Sequence, residues 1–217
     1  MDPYHAKTEQ LLSRLAESRI VGVLRSPTAE AAVQAALVSG RAGLRAIEVM
    51  FTTPGAPDAL RRLRDELPSG TLLGAGTILN AAHARQAAAA NVDFLTSPHL
   101  GEDVLDAAQG LGLPYLPGVL TPTEVTKALA LGAVGIKLFP AGASGNLYLR
   151  ELFGPFPDLR VLVTGGITPD QVPSFIRSGA FAVGLGSYLF PRSLLESGDW
   201  TAVEGLTKAA LVRAREI

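Results

Sequence analysis

No cysteine occurs in the 217 residues, which excludes disulfides and thiolate-held metals and fits a reducing compartment. The three histidines, His5, His83 and His99, lie far apart without ligand-like spacing, so neither a metal nor another cofactor is expected. With a net charge of −1, the Lys and Arg residues form no basic stripe, so nucleic acid is not an expected partner. No apolar run approaches the roughly 18 residues that a bilayer-crossing helix requires, and a membrane is not expected either. The opening Met1-Asp2-Pro3-Tyr4-His5 lacks the basic start and apolar core of a signal peptide, which points to the cytoplasm. Charged residues make up only 18% of the chain against 47% hydrophobic, leaving little that could stay disordered. One domain spanning 1–217 is the simplest expectation.

What is present is a repeat. After a helix expected over 7–17, eight strand-like segments alternate with helix-like ones: 20–25, 44–50, 72–76, 94–98, 114–119, 135–140, 160–165 and 182–187. Most are apolar on both faces, as parallel strands covered by helices must be. Helix starts are marked by Thr28-Ala29-Glu30, Pro122-Thr123-Glu124 and Pro169-Asp170, and stops by Gly40, Gly112, Gly132 and Gly179. The expected fold is α/β, a (β/α)8 TIM barrel preceded by an N-terminal helix. An open doubly wound sheet is the alternative, but the Gly-rich first turn it would normally show is missing.

In such barrels, chemistry collects where strands end. Lys137, one of only four lysines, sits within the apolar run Gly135-Ile136-Lys137-Leu138-Phe139-Pro140. Burial there would disfavour the ammonium and leave a neutral amine, a nucleophile toward ketones, unless Lys137 pairs with a buried carboxylate or snorkels outward from the strand end. Glu48 repeats the pattern in Ala46-Ile47-Glu48-Val49-Met50. The two could form a structural ion pair, or they could supply the amine and the proton-shuttling carboxyl that imine chemistry requires. Thr164-Gly165-Gly166 and Gly184-Leu185-Gly186-Ser187 end the last two strands. Glycines there allow backbone N–H groups to cradle a phosphate, although tight turns alone would also account for them. Arg25 could clamp a substrate carboxylate or form a surface salt bridge, and Thr77 could bind the same carboxylate or cap a helix. His99, on the rim, reads as a solvated loop residue.

The run from Gly132 to Ala141, followed by Gly145, resembles the Schiff-base lysine motif of the 2-keto-3-deoxy-6-phosphogluconate and 4-hydroxy-2-oxoglutarate aldolases. Ile47-Glu48-Val49, Gly74-Ala75-Gly76-Thr77, Ser97-Pro98, Pro117-Gly118-Val119, Thr164-Gly165-Gly166-Ile167 and Gly186-Ser187 also align with that family, in order, across about 20–191. The resemblance implies a class I aldolase barrel, a homotrimer without metal, acting on a phosphorylated keto acid and releasing pyruvate. It casts Lys137 as the imine former, Glu48 as general acid/base and Thr77 as a carboxylate ligand. Pro98 and Phe139 would be pocket walls, and Gly165, Gly166, Gly186 and Ser187 would hold the phosphate. The phosphogluconate enzymes typically continue the glutamate strand as Glu-Val-Thr-Leu-Arg, whereas Glu48-Val49-Met50-Phe51-Thr52 lacks that arginine. Arg25 and Thr53-Pro54 look instead like the 2-dehydro-3-deoxy-6-phosphogalactonate branch, while Thr164 looks like the phosphogluconate one. A phosphate-binding barrel without imine chemistry, such as an isomerase or a binding protein, is the reading from another class.

Overall fold

A computed structural model of the chain describes residues 3–216. Helix α1 (Pro3–Ser18) leads into β1 (Ile20–Leu24), α2 (Ala29–Arg41), β2 (Ala46–Met50), α3 (Ala56–Glu66), β3 (Leu72–Gly76) and α4 (Ala81–Ala89). Then come β4 (Phe94–Thr96), α5 (Glu102–Gly110), β5 (Tyr115–Leu116), β6 (Gly118–Val119), α6 (Pro122–Ala130), β7 (Ile136–Leu138) and α7 (Ala141–Leu152). The chain ends with β8 (Val161–Thr164), a single 3-10 turn (Pro169–Gln171), α8 (Val172–Arg177), β9 (Ala182–Leu185), α9 (Arg192–Ser197) and α10 (Trp200–Arg213).

All the strand pairs are parallel, in the order β5-β4-β3-β2-β1-β9-β8-β7-β6. The two segments at the ends of that order, β5 and β6, are consecutive in the chain with only Pro117 between them. The sheet therefore curls into a nearly closed barrel rather than the open doubly wound alternative. Nine strand segments stand where eight are expected, because the candidate 114–119 is divided. Pro117 has no N–H to give to a ladder; its carbonyl still accepts from Lys137 N at 2.8 Å, while Gly118 N turns to His99 O at 3.1 Å.

Period-two alternation sets the two layers. Outward-facing residues such as Ile47, Val49, Ile136 and Leu138 join the large core beneath the helices. Inward-facing Val21, Ala46, Leu72, Phe94, Leu116, Leu162 and Ala182 form a second core at the N-terminal end of the barrel. Leu11, Leu12 and Leu15, on one face of α1, plug that end, so any opening lies at the strands' C-terminal ends. Bulky inward side chains fit because their neighbours are glycines. A Cβ on Gly74 would lie 2.5 and 2.7 Å from two ring carbons of Phe94, and one on Gly76 would lie 2.6 Å from Met50 Sδ.

The helix punctuation departs from expectation at several points. The first helix begins at Pro3, earlier than 7–17. Thr28 and Thr121 cap α2 and α6, the latter in a capping box with Glu124. Gly40 is no stop: it lies inside α2, where a Cβ would sit 3.0 Å from Pro68 Cδ, and Gly43 (φ +107°) makes the turn instead.

Candidate active site

Lys137 and Glu48 each sit between two outward-facing apolar residues of a short strand, so strand parity alone aims both into the barrel. Both are buried, with Lys137 only 4% exposed and Glu48 fully enclosed. Lys137 Nζ lies 3.1 Å from Glu48 Oε1. A third polar group completes the cluster: Thr96 Oγ1 stands 3.1 Å from Lys137 Nζ and 2.7 Å from Glu48 Oε2. Thr96 is not among the sequence candidates. Its signal is its parity, two residues after inward-facing Phe94, but threonine is so common a strand former that it reads as scaffold.

Above this cluster opens a cavity of about 170 Å³. Apart from Glu48, which lies beneath it, every sequence-predicted site residue lines it: Arg25, Thr77, Pro98, Lys137, Phe139, Thr164, Gly165, Gly166, Gly186 and Ser187. Thr77 does not cap a helix, since α4 is capped by Asn80, whose side chain accepts from His83 N at 2.9 Å. Instead Thr77 holds a left-handed backbone (φ +57°) and its hydroxyl donates to Met50 Sδ at 3.0 Å. A β-branched residue pays about 1–3 kcal/mol for that conformation, a strain that surrounding structure must sustain. Arg25 is exposed and donates from Nε to Thr52 Oγ1 at 3.0 Å; among the described residues it forms no salt bridge. His99 is exposed beside the cavity wall, and its carbonyl, rather than its ring, anchors Gly118.

The glycine loops face the same cavity. Gly165 (φ +96°) and Gly166 (φ +73°) occupy backbone conformations that L side chains rarely adopt. A Cβ on Gly165 would also come within 2.8 Å of the Phe139 ring. The N–H groups of Gly165, Gly166, Gly186 and Ser187 donate to no acceptor among the described residues. Unpaired backbone donors converging at two adjacent strand ends make a ready anion cradle. A wider vestibule of about 600 Å³ adjoins the cavity through Val23, Arg25, Met50, Gly186 and Ser187, and reaches Arg192. Among the described residues, no group of three or more His, Asp or Glu side chains could hold a metal. None of the described helices is long and apolar enough to cross a membrane.

A primary amine buried against a carboxylate, at the floor of a cavity in a parallel barrel, is the arrangement that a class I aldolase, a carbon–carbon lyase working through an imine, requires. Comparison with known proteins agrees. The 2-dehydro-3-deoxy-phosphogluconate aldolase of Pseudoalteromonas atlantica is 34% identical over 183 residues, 84% of each chain. The 4-hydroxy-2-oxoglutarate/2-dehydro-3-deoxyphosphogluconate aldolase from TTHB1 is 39% identical, with a TM-score of 0.80 over 99% of both chains. The aldolase of Legionella pneumophila, captured at low pH with pyruvate as a covalent carbinolamine, has a TM-score of 0.84 at 28% identity, covering 97% of this chain and 98% of that one. The chain belongs to the KDPG and KHG aldolase family, which it matches over residues 11–206.

Proposed function

We propose that the protein cleaves 2-keto-3-deoxy-6-phosphogluconate to pyruvate and glyceraldehyde 3-phosphate. The observation that carries this reading is the Lys137 amine, 3.1 Å from Glu48 Oε1 at the base of a cavity whose far wall is the glycine cradle. The Lys137 ammonium passes a proton to Glu48, 3.1 Å away, and the freed amine adds to the C2 ketone. Glu48 returns that proton to the carbinolamine hydroxyl, which leaves as water to give a protonated imine. Glu48 takes the C4 hydroxyl proton, the C3–C4 bond breaks, and its electron pair flows to the imine nitrogen, releasing the aldehyde and leaving an enamine. Protonation at C3 and hydrolysis of the imine then free pyruvate and Lys137. Arg25 and Thr77 hold the substrate carboxylate, and Pro98 and Phe139 shape the walls. Gly165, Gly166, Gly186 and Ser187 bind the phosphate, with Thr164 fixing the strand end beneath them. Phosphate binding remote from the reacting carbons supplies energy for orienting them.

One observation favours a second reading. Thr52 stands where the phosphogluconate branch typically has arginine, and it receives the Arg25 guanidinium instead. By the resemblance, that arrangement suits the galactonate epimer. Measuring kcat/KM for both phosphorylated epimers and for unphosphorylated 4-hydroxy-2-oxoglutarate tests the reading. A preference for the phosphogluconate substrate is expected, and equal use of the unphosphorylated one would count against the cradle. The same reading treats β5 and β6 as one strand interrupted at Pro117, which makes a single (β/α)8 domain. It also takes the protein to be a cytoplasmic homotrimer, as the family resemblance implies, and sedimentation velocity checks the trimer.

A further inference from the structure

Thr96 has no part in the chemistry just described, yet its hydroxyl joins both groups that do. The direction of its hydrogen bonds follows from donor inventory alone. A carboxylate accepts only, and a lysine ammonium donates only. Lys137 Nζ–H therefore donates to Thr96 Oγ1 at 3.1 Å, and Thr96 Oγ1–H donates to Glu48 Oε2 at 2.7 Å. The second carboxylate oxygen, Oε1, takes another Nζ–H at 3.1 Å.

We infer that Thr96 is a positioning residue that holds the Glu48 carboxylate in its working orientation once Lys137 has become an imine. The inference rests on the imine reading above. An ammonium has three N–H donors, whereas a protonated imine has one. That single proton cannot serve both Glu48 Oε1 and Thr96 Oγ1. The bond from Thr96 to Oε2 does not involve Nζ, so it persists through imine formation and leaves Oε1 facing the reacting carbons. Its strength is that of a bond to an ionised acceptor. Thr96 suits this role because it is fully buried, β-branched with a stiff χ1, and fixed on β4 by pairing with Leu116 of β5.

Proton exchange at pyruvate isolates the step. In the pyruvate imine, Glu48 removes a C3 proton; the C–H electron pair becomes the enamine double bond and the C=N π pair moves to nitrogen. The reverse step delivers a solvent-derived proton from the Glu48 carboxyl to C3. In D2O the methyl hydrogens are thereby replaced by deuterium without net reaction, which proton NMR follows directly. Borohydride reduction with mass spectrometry reports imine formation separately.

Wild type, Thr96→Val and Thr96→Ser are compared, with Thr96→Ala as a second variant lacking the hydroxyl should valine perturb folding. The valine and alanine variants are expected to form the reduced adduct at Lys137 and to keep KM within about threefold, while methyl exchange and kcat fall about 10- to 100-fold. Serine, which restores the hydroxyl, is expected to recover both rates to within about fivefold. Wild-type exchange in the valine or alanine variant, or a serine variant as slow as valine, would overturn the assignment of the hydroxyl. Absence of a reduced adduct in the wild type would overturn the imine reading and this inference together.

Discussion

Removing the whole buried polar cluster is expected to cost the fold less than removing one member of it. At 3.1 Å and an effective dielectric near 20, the Lys137–Glu48 attraction is about 5 kcal/mol. Against it stand desolvation penalties of several kcal/mol for each ion, so the pair contributes little net stability. Lys137→Met leaves the fully enclosed Glu48 carboxylate with Thr96 alone, and is expected to destabilise by about 3–5 kcal/mol. The triple variant Lys137→Met/Glu48→Leu/Thr96→Val replaces every polar group of the cluster with an apolar one. It is expected to lie within about 2 kcal/mol of wild type, or to be the more stable of the two. Urea unfolding at neutral pH measures both, with unchanged m-values certifying that midpoints report stability. If the triple variant is as unstable as Lys137→Met, the pair is a structural element and is not retained for chemistry alone.

Three further outcomes follow from particular contacts. Burial pushes the Tyr115 phenol from its ordinary value near 10 up to about 12. A raised value means stability that is present below pH 10 and lost as pH rises through about 12, on the order of 3 kcal/mol. Thermal midpoints of wild type and Tyr115→Phe should therefore converge or cross between about pH 10 and 12, the span of that shift; a constant difference would refute the linkage. The N–H groups of Thr121 and Leu120, at 2.7 and 2.9 Å, hold the Glu124 carboxyl below the usual carboxylate range. Its contribution is present above about pH 4.5 and lost as pH falls through the lower folded value, about 0.5–1 kcal/mol after allowance for solvent screening. Glu124→Gln should thus lower the thermal midpoint at pH 7 and make little difference in strong acid. Gly74→Ala drives a methyl group into the Phe94 ring and should destabilise by about 1–3 kcal/mol, with Phe94→Leu relieving much of the loss in a double-mutant cycle; strict additivity would contradict the contact.

Parity made the inner layer legible from residues alone. One ionisable residue between two apolar neighbours, at Lys137 and again at Glu48, admits few arrangements in a sheet covered on both sides. The glycine-rich ends were legible as a recurrence on two adjacent strands, whereas their role in a turn or a cradle was not, since the positive φ of Gly165 and Gly166 emerges only in the folded chain. Thr96 was hidden, since a threonine in a strand fits its local preference and betrays nothing about its neighbours. The division of 114–119 turns on Pro117 exchanging one ladder donor for a contact between Gly118 and His99, 19 residues apart. The bond from Arg25 to Thr52 likewise depends on the register of β1 against β2. Gly40 misled because a glycine demanded by packing against Pro68 looks, in sequence, like a helix stop.

The central claim is that the Lys137 amine forms an imine with the keto acid. Incubating the protein with pyruvate and borohydride, followed by peptide mass spectrometry, tests it directly. One reduced pyruvate adduct is expected, on the peptide containing Lys137, and none in Lys137→Arg. An unmodified wild-type protein, or an adduct that persists in Lys137→Arg, would contradict it.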